Sequence, residues 1–187
     1  MMSFKNNKVT CLAKKDKSKK GTIDKNIEKL IDLINQQDNY YTTSSCSGRI
    51  VLLNRNNGDK KHQVNWLLTT HDKTSLKEIK KALEKKDDKD IWLMQEAAII
   101  HICCKTIEDA IKILNIFKEN GFKRSGINSI KNKIIVELIS TEHMDTIIAK
   151  KGEILTSDEH LEIIIDEANK KLNNVIRKIK KIEKLIN

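Results

Sequence analysis

From Ser157 onward, apolar residues return at positions 161, 164, 165, 168, 172, 175, 179, 182 and 186. That spacing keeps one helical face apolar for about 30 residues, or roughly 45 Å at 1.5 Å per residue. Lys170, Lys171, Arg177, Lys178, Lys180, Lys181 and Lys184 occupy the other faces. A face this basic attracts phosphates, although a charge run is commonly only a solvated surface.

Upstream the periods alternate. Residues 1–20 read as a short helix or a mobile arm, and Ile23, Ile27, Leu30, Ile31 and Ile34 predict a helix starting near a Thr22 cap. A polar turn, "YYTTSSCSGRI", then leads into a strand at 49–54, a hairpin with Asn57-Gly58 at its tip, and a second strand over "VNWLLTTH". Ser75 with Glu78 makes a capping-box pattern for a second helix. "IWLMQEA" and "AIIHICC" read as strands with a bulge or bend near 96–98. Thr106 and Asp109 then start a helix that Gly121 closes, and strands at about 122–130 and 133–140 complete the sheet. This order is not strict β-α-β alternation. It predicts an α+β fold, with a mixed or mainly antiparallel sheet covered by helices and a long C-terminal helix.

A chain of 187 residues suits a single domain spanning 1–187. The 36 Lys and Arg against 26 Asp and Glu leave a net charge of +10, which favours polyanionic partners such as nucleic acid. Cysteines 11, 46, 103 and 104 form no CxxC pair, so neither structural zinc nor a disulfide framework is expected. No apolar run approaches the roughly 20 residues needed to cross a bilayer, and a reducing cytoplasm is the default location. Six glycines, none spaced as GxGxxG or GxxxxGK[ST], argue against a dinucleotide fold, a P-loop and a Rossmann-type methyltransferase.

The candidate chemistry is concentrated in few places. In "TTSSCSGRI", hydroxyls bonding their own backbone, a buried Cys46 and an Arg49 paired to a carboxylate would make a purely structural loop. The same residues also suit an anion nest closed by a guanidinium. His71, followed by Asp72 at a strand-to-helix junction, lies where function concentrates. His101 sits in an apolar strand, either as a satisfied core histidine or as a general base oriented by Glu96. Trp66 is a strand aromatic. Glu137, charged within "IIVELI", needs a partner, with Arg124 or Arg49 as candidates.

Taken together, "YYTTSSCSGRI", "WLLTTHD" at 66–72, "EAAIIHICC" at 96–104, "ENGFKRSGI" at 119–127, "VELISTEHM" at 136–144 and "DEANKKLNNVIRKI" at 166–179 resemble one family. It is the wybutosine-synthesising methyltransferases, the third enzyme of the eukaryotic pathway, with their archaeal wyosine relatives. The resemblance implies methyl transfer from S-adenosylmethionine to a ring nitrogen, N4, of the tricyclic guanosine derivative beside the anticodon of tRNA-Phe. On that reading Ser44, Ser45, Ser47 and Gly48 form a cofactor cradle, Arg49 an anion clamp and Cys46 a sulfur contact. Trp66 stacks on a base or on the adenine. His71, ahead of His101 with Glu96, is the base; Lys123, Arg124, Ser125, Arg177 and Lys178 meet tRNA; and no metal or membrane is involved. The readings that compete are a tRNA-binding module without catalysis and an oligomerisation protein using the long helix. The chain itself is expected to be a monomer or weak dimer.

Overall fold

The computed structural model describes residues 3–13, 22–56, 58, 60 and 63–186. The remainder of the expected N-terminal arm beyond Ala13, through Gly21, and the hairpin-tip Asn57 lie outside the described residues. The elements are α1 Phe4–Leu12, α2 Glu28–Gln36, β1 Tyr40–Cys46, β2 Arg49–Asn54, β3 Asn65–Thr70, α3 Leu76–Leu83, β4 Ile91–Glu96, β5 Ile99–Cys104, α4 Ile107–Glu119, β6 Gly126–Ser129, β7 Ile134–Ile139, β8 Met144–Lys150, β9 Glu153–Ile154 and α5 Asp158–Ile186. An α+β fold with antiparallel sheets and a long C-terminal helix is therefore what forms. The strands divide between two sheets, ordered β1-β5-β7-β6 and β3-β2-β4-β8-β9, and every pairing in both is antiparallel.

The chain folds into two compact units. The first comprises Met1–Ser47, Ala98–Thr141 and Val175–Asn187, and the second Gly48–Ala97 and Glu142–Asn174. In the first unit Ile100, Ile102 and Cys104 of β5, with Val136 and Leu138 of β7, point to one face of their sheet. There they are buried with Leu30 and Ile34 of α2, Ala110, Ile113 and Phe117 of α4, and Val175, Ile179 and Ile182 of α5. Each buried Ile, Leu, Val or Phe among them contributes about 1.5–3 kcal/mol relative to leaving it in water. The two-residue period puts His101 and Glu137 on the opposite face. In the second unit Ile50, Leu52, Ile91 and Leu93 are fully buried by the same alternation.

Local chemistry sets the helix starts. Ser75 and Glu78 at α3, and Thr106 and Asp109 at α4, close both bonds of a capping box. α2 departs from expectation: it starts at Glu28, not near Thr22, because the Asp24 carbonyl accepts from Ile27 and Glu28 in a preceding turn and its carboxylate is used elsewhere. "YYTTSSC", expected as a turn, is strand β1, since it pairs with β5 along its length apart from a register shift between Thr42 and Ser44. The bend at 97–98 is where the chain leaves one sheet for the other. The Phe122–Ser125 segment is a turn, so β6 is only four residues long. β8 and β9 were not expected, because "MDTIIAK" mixes charge and small residues on a half-exposed strand.

Gly121 ends α4 at φ +91°, and a Cβ there would stand 2.5 Å from Cε of Lys178. Gly121→Ala should lower stability by about 1–2 kcal/mol, read as a lowered unfolding midpoint in denaturant. Asp90 is buried and accepts from Lys150 Nζ at 2.7 Å and from the Lys151 amide at 3.1 Å. Lys150 above all, then the Lys151 amide, holds this carboxyl below its usual range. A depressed folded value contributes stability above the unfolded value of about 3.9, and that stability is lost as pH falls toward the folded value. Thermal unfolding from pH 5 down to pH 3 should therefore destabilise the native chain more steeply than Asp90→Asn.

Candidate active site

β1 ends at Cys46 and β2 begins at Arg49, so Ser47 and Gly48 alone make the turn. Gly48 has φ +84°, a conformation that glycine adopts without penalty. Ser47 is fully buried; its amide donates to Asp24 Oδ2 at 2.9 Å and its hydroxyl to the same oxygen at 3.3 Å. The anion held by this turn is thus the chain's own Asp24, and Ser47 does not offer the cradle donors expected of it. Asp24 escaped notice because an acid just ahead of a helix reads as a cap.

In the second unit His71 lies one residue past the end of β3. Its Nδ1 is 2.9 Å from the carbonyl oxygen of Gly48. A carbonyl only accepts, so Nδ1 carries the hydrogen and the neutral ring keeps its lone pair at Nε2. Arg49 is the register partner of Glu96 across β2 and β4, and its Nε donates to Glu96 Oε2. Its guanidinium also lies 4.9 Å from the ring centroid of Trp66. With side chains 32% and 31% exposed, the Arg49–Glu96 pair is solvated enough to contribute at most about 1 kcal/mol. Its effect is to aim the guanidinium.

In the first unit Ser44, His101 and Glu137 are register partners across β1, β5 and β7. Glu137 Oε1 accepts from Nε2 of His101 at 2.9 Å, which leaves Nδ1 to accept from the Ser44 hydroxyl at 2.9 Å. The carboxylate that orients His101 is therefore Glu137. Glu96 was expected in that role and serves Arg49 instead, and neither Arg124 nor Arg49 is the partner of Glu137 shown by these bonds. Glu137 stood out in the sequence as a charge in an apolar run; what could not be read was its register. Cys46 is opposite Ile99 on the same sheet face as Ser44, and half-buried Ser45 is opposite Ile100 on the other.

The expected RNA contacts separate by burial. Lys123, Arg124 and Arg177 are exposed, with one Arg124 amino group 3.4 Å from the Thr141 carbonyl. Ser125 is buried, donates to the Phe122 carbonyl and accepts from the Ile139 amide, so its hydroxyl holds a turn. Lys178 donates to Thr141 Oγ1 at 2.8 Å and covers Gly121.

Residues 4–187 match the family described as Methyltransferase TYW3. The chain belongs to that family. It is similar to the tRNA(Phe) 7-((3-amino-3-carboxypropyl)-4-demethylwyosine(37)-N(4))-methyltransferase 1 of Pyrococcus horikoshii, with 39% identity over 90% of this chain and 87% of the relative. The tRNA wybutosine-synthesizing protein 3 homolog of Homo sapiens is 33% identical over 95% of this chain and 70% of its own length. The solved PH1069 protein of Pyrococcus horikoshii superposes with a TM-score of 0.91 at 37% identity, covering 99% of this chain and 96% of that one. These relatives are named for enzymes and for a modification pathway, which favours the catalytic reading over the non-catalytic module. No helix among the described residues of this TYW3-family chain is long and apolar enough to cross a membrane.

All four cysteines are thiols. Burial, then the neighbouring Cys103 and Asp109, pushes the Cys104 thiol up to about 12, and burial raises Cys103 as well. A thiol held this high is not a nucleophile at neutral pH. Ellman titration of the native TYW3-family chain should modify half-buried Cys11 and Cys46 first, and Cys103 and Cys104 only after unfolding.

Proposed function

We propose that the chain methylates a ring nitrogen, N4 of the tricyclic base at position 37 of tRNA(Phe), with S-adenosylmethionine as donor. The P. horikoshii relative, similar over nine-tenths of this chain, carries that substrate in its name. The observation that carries the chemistry is the bond from His71 Nδ1 to the Gly48 carbonyl. It orients the ring and, in the neutral form, puts the lone pair that a general base needs at Nε2.

The donor supplies an electrophilic methyl group on a sulfonium. His71 Nε2 takes the proton that the ring nitrogen loses, and N–H becomes N–CH3 as the methyl–sulfur bond breaks and the donor leaves as a neutral thioether, with no covalent enzyme intermediate. Arg49, with Nε committed to Glu96, keeps its two terminal amino groups for the donor's carboxylate, and the charge and geometry of this guanidinium fit such a group. Gly48 stays a candidate for the donor's remaining contacts, and exposed Lys123, Arg124 and Arg177 of the first unit stay candidates for phosphates. His101, tied to Ser44 and Glu137, is the alternative base.

The test is to incubate the chain with tRNA(Phe) bearing the demethylated precursor and methyl-labelled S-adenosylmethionine, followed by mass spectrometry of loop fragments. One labelled methyl per tRNA is expected. His71→Gln should slow transfer by about 10²–10⁴ while donor binding by calorimetry persists, and Arg49→Ala should weaken donor binding about tenfold. Absence of label in the tRNA, or a His71→Gln chain as fast as the native one, overturns the reading.

A further inference from the structure

Trp66 and Trp92 are the chain's two tryptophans. The register sets them in one row, because Leu53 of β2 is the partner of Trp66 in β3 on one side and of Trp92 in β4 on the other. With neighbouring strands about 4.8 Å apart, the two indoles rise from backbones about 10 Å apart on a single sheet face. The same alternation brings Arg49 to this face, and Arg55 just beyond β2. The Arg49 guanidinium lies 4.9 Å from the Trp66 centroid, and that of Arg55 lies 5.8 Å from the Trp92 centroid. Val51, Leu53 and Met94 form the buried floor, with Trp92 partly buried on it and Trp66 38% exposed. Of the carboxylates that the register aligns with this face, Glu96 is paired to Arg49 and Asp145 to His143.

We propose that this row binds two unstacked bases of a single-stranded RNA segment, one on each indole. A cation resting on an exposed indole is a weak contact, whereas base stacking on tryptophan is a strong one that any base can make. The base arriving on Trp92 displaces the Arg55 guanidinium, which turns to the adjacent phosphate, while the base on the exposed part of Trp66 leaves Arg49 paired to Glu96. Paired bases in a duplex hide their faces, so a helix cannot use the row. The surface is thus suited to a loop whose bases splay outward, and the choice of RNA rests on the tRNA reading above.

Since no other tryptophan contributes, intrinsic fluorescence reads the row directly. The full chain is titrated with a stem-loop RNA having an unpaired loop, and with a fully paired duplex of equal length. Indole emission and the anisotropy of labelled RNA are followed together. The stem-loop should bind and quench, while the duplex should bind more weakly and leave emission unchanged. Trp92→Leu should weaken stem-loop binding about tenfold, with Trp92→Phe recovering most of it. Arg55→Ala, which leaves the apolar floor intact, should reduce the salt dependence by about one phosphate contact. Binding without quenching, equal quenching by duplex, or native affinity in Trp92→Leu overturns the row and leaves the methyltransferase reading standing. If anisotropy shows no RNA binding at all, both fall together.

Discussion

The pleat of β2 is the constraint on which the second unit depends. Ile50, Leu52 and Asn54 turn to its buried layer, so Arg49, Val51 and Leu53 must turn the other way. That alternation sets Arg49 against Glu96, puts Leu53 between two indoles, and leaves Gly48 at the strand's start with its carbonyl toward His71. Slipping β2 by one residue would drive a guanidinium into the apolar layer and bring Ile50 or Leu52 out to water, which burial forbids. The chemistry at this corner is therefore positioned by hydrophobic packing behind it.

Much of this was legible in the sequence. The helices announce themselves through 3.6-residue apolar spacing, and the caps at Ser75–Glu78 and Thr106–Asp109 lie within four residues of chain, where sequence alone suffices. The placement of His71 at a strand's end was legible for the same reason. Partners across a sheet were not: Glu96 and Glu137 are both acids near His101 in the chain, and only the antiparallel register decides that Glu137 faces it. Asp24 and Ser47, 23 residues apart, had no local signal joining them. β1 was hidden because serines and threonines read as turn formers when their pairing strand, over fifty residues later, is unknown.

The two histidines illustrate how differently backbone and side chain can hold a ring. A carbonyl holds His71 and leaves its basic nitrogen at Nε2. His101 is held by a carboxylate at Nε2 and presents Nδ1 to a serine hydroxyl, so its lone pair is engaged by another side chain. The family resemblance alone does not rank them.

The interleaving of the units bears on synthesis. The first unit's core joins Leu30 and Ile34 to Val175, Ile179 and Ile182, residues made at opposite times on the ribosome. Its sheet likewise waits for β5 to meet β1 and then for β7 to cover β5. While the second unit has all its strands by Ile154, the nascent first unit keeps an open apolar layer until the last turns of α5 emerge. That interval is when this chain most needs a chaperone's shelter.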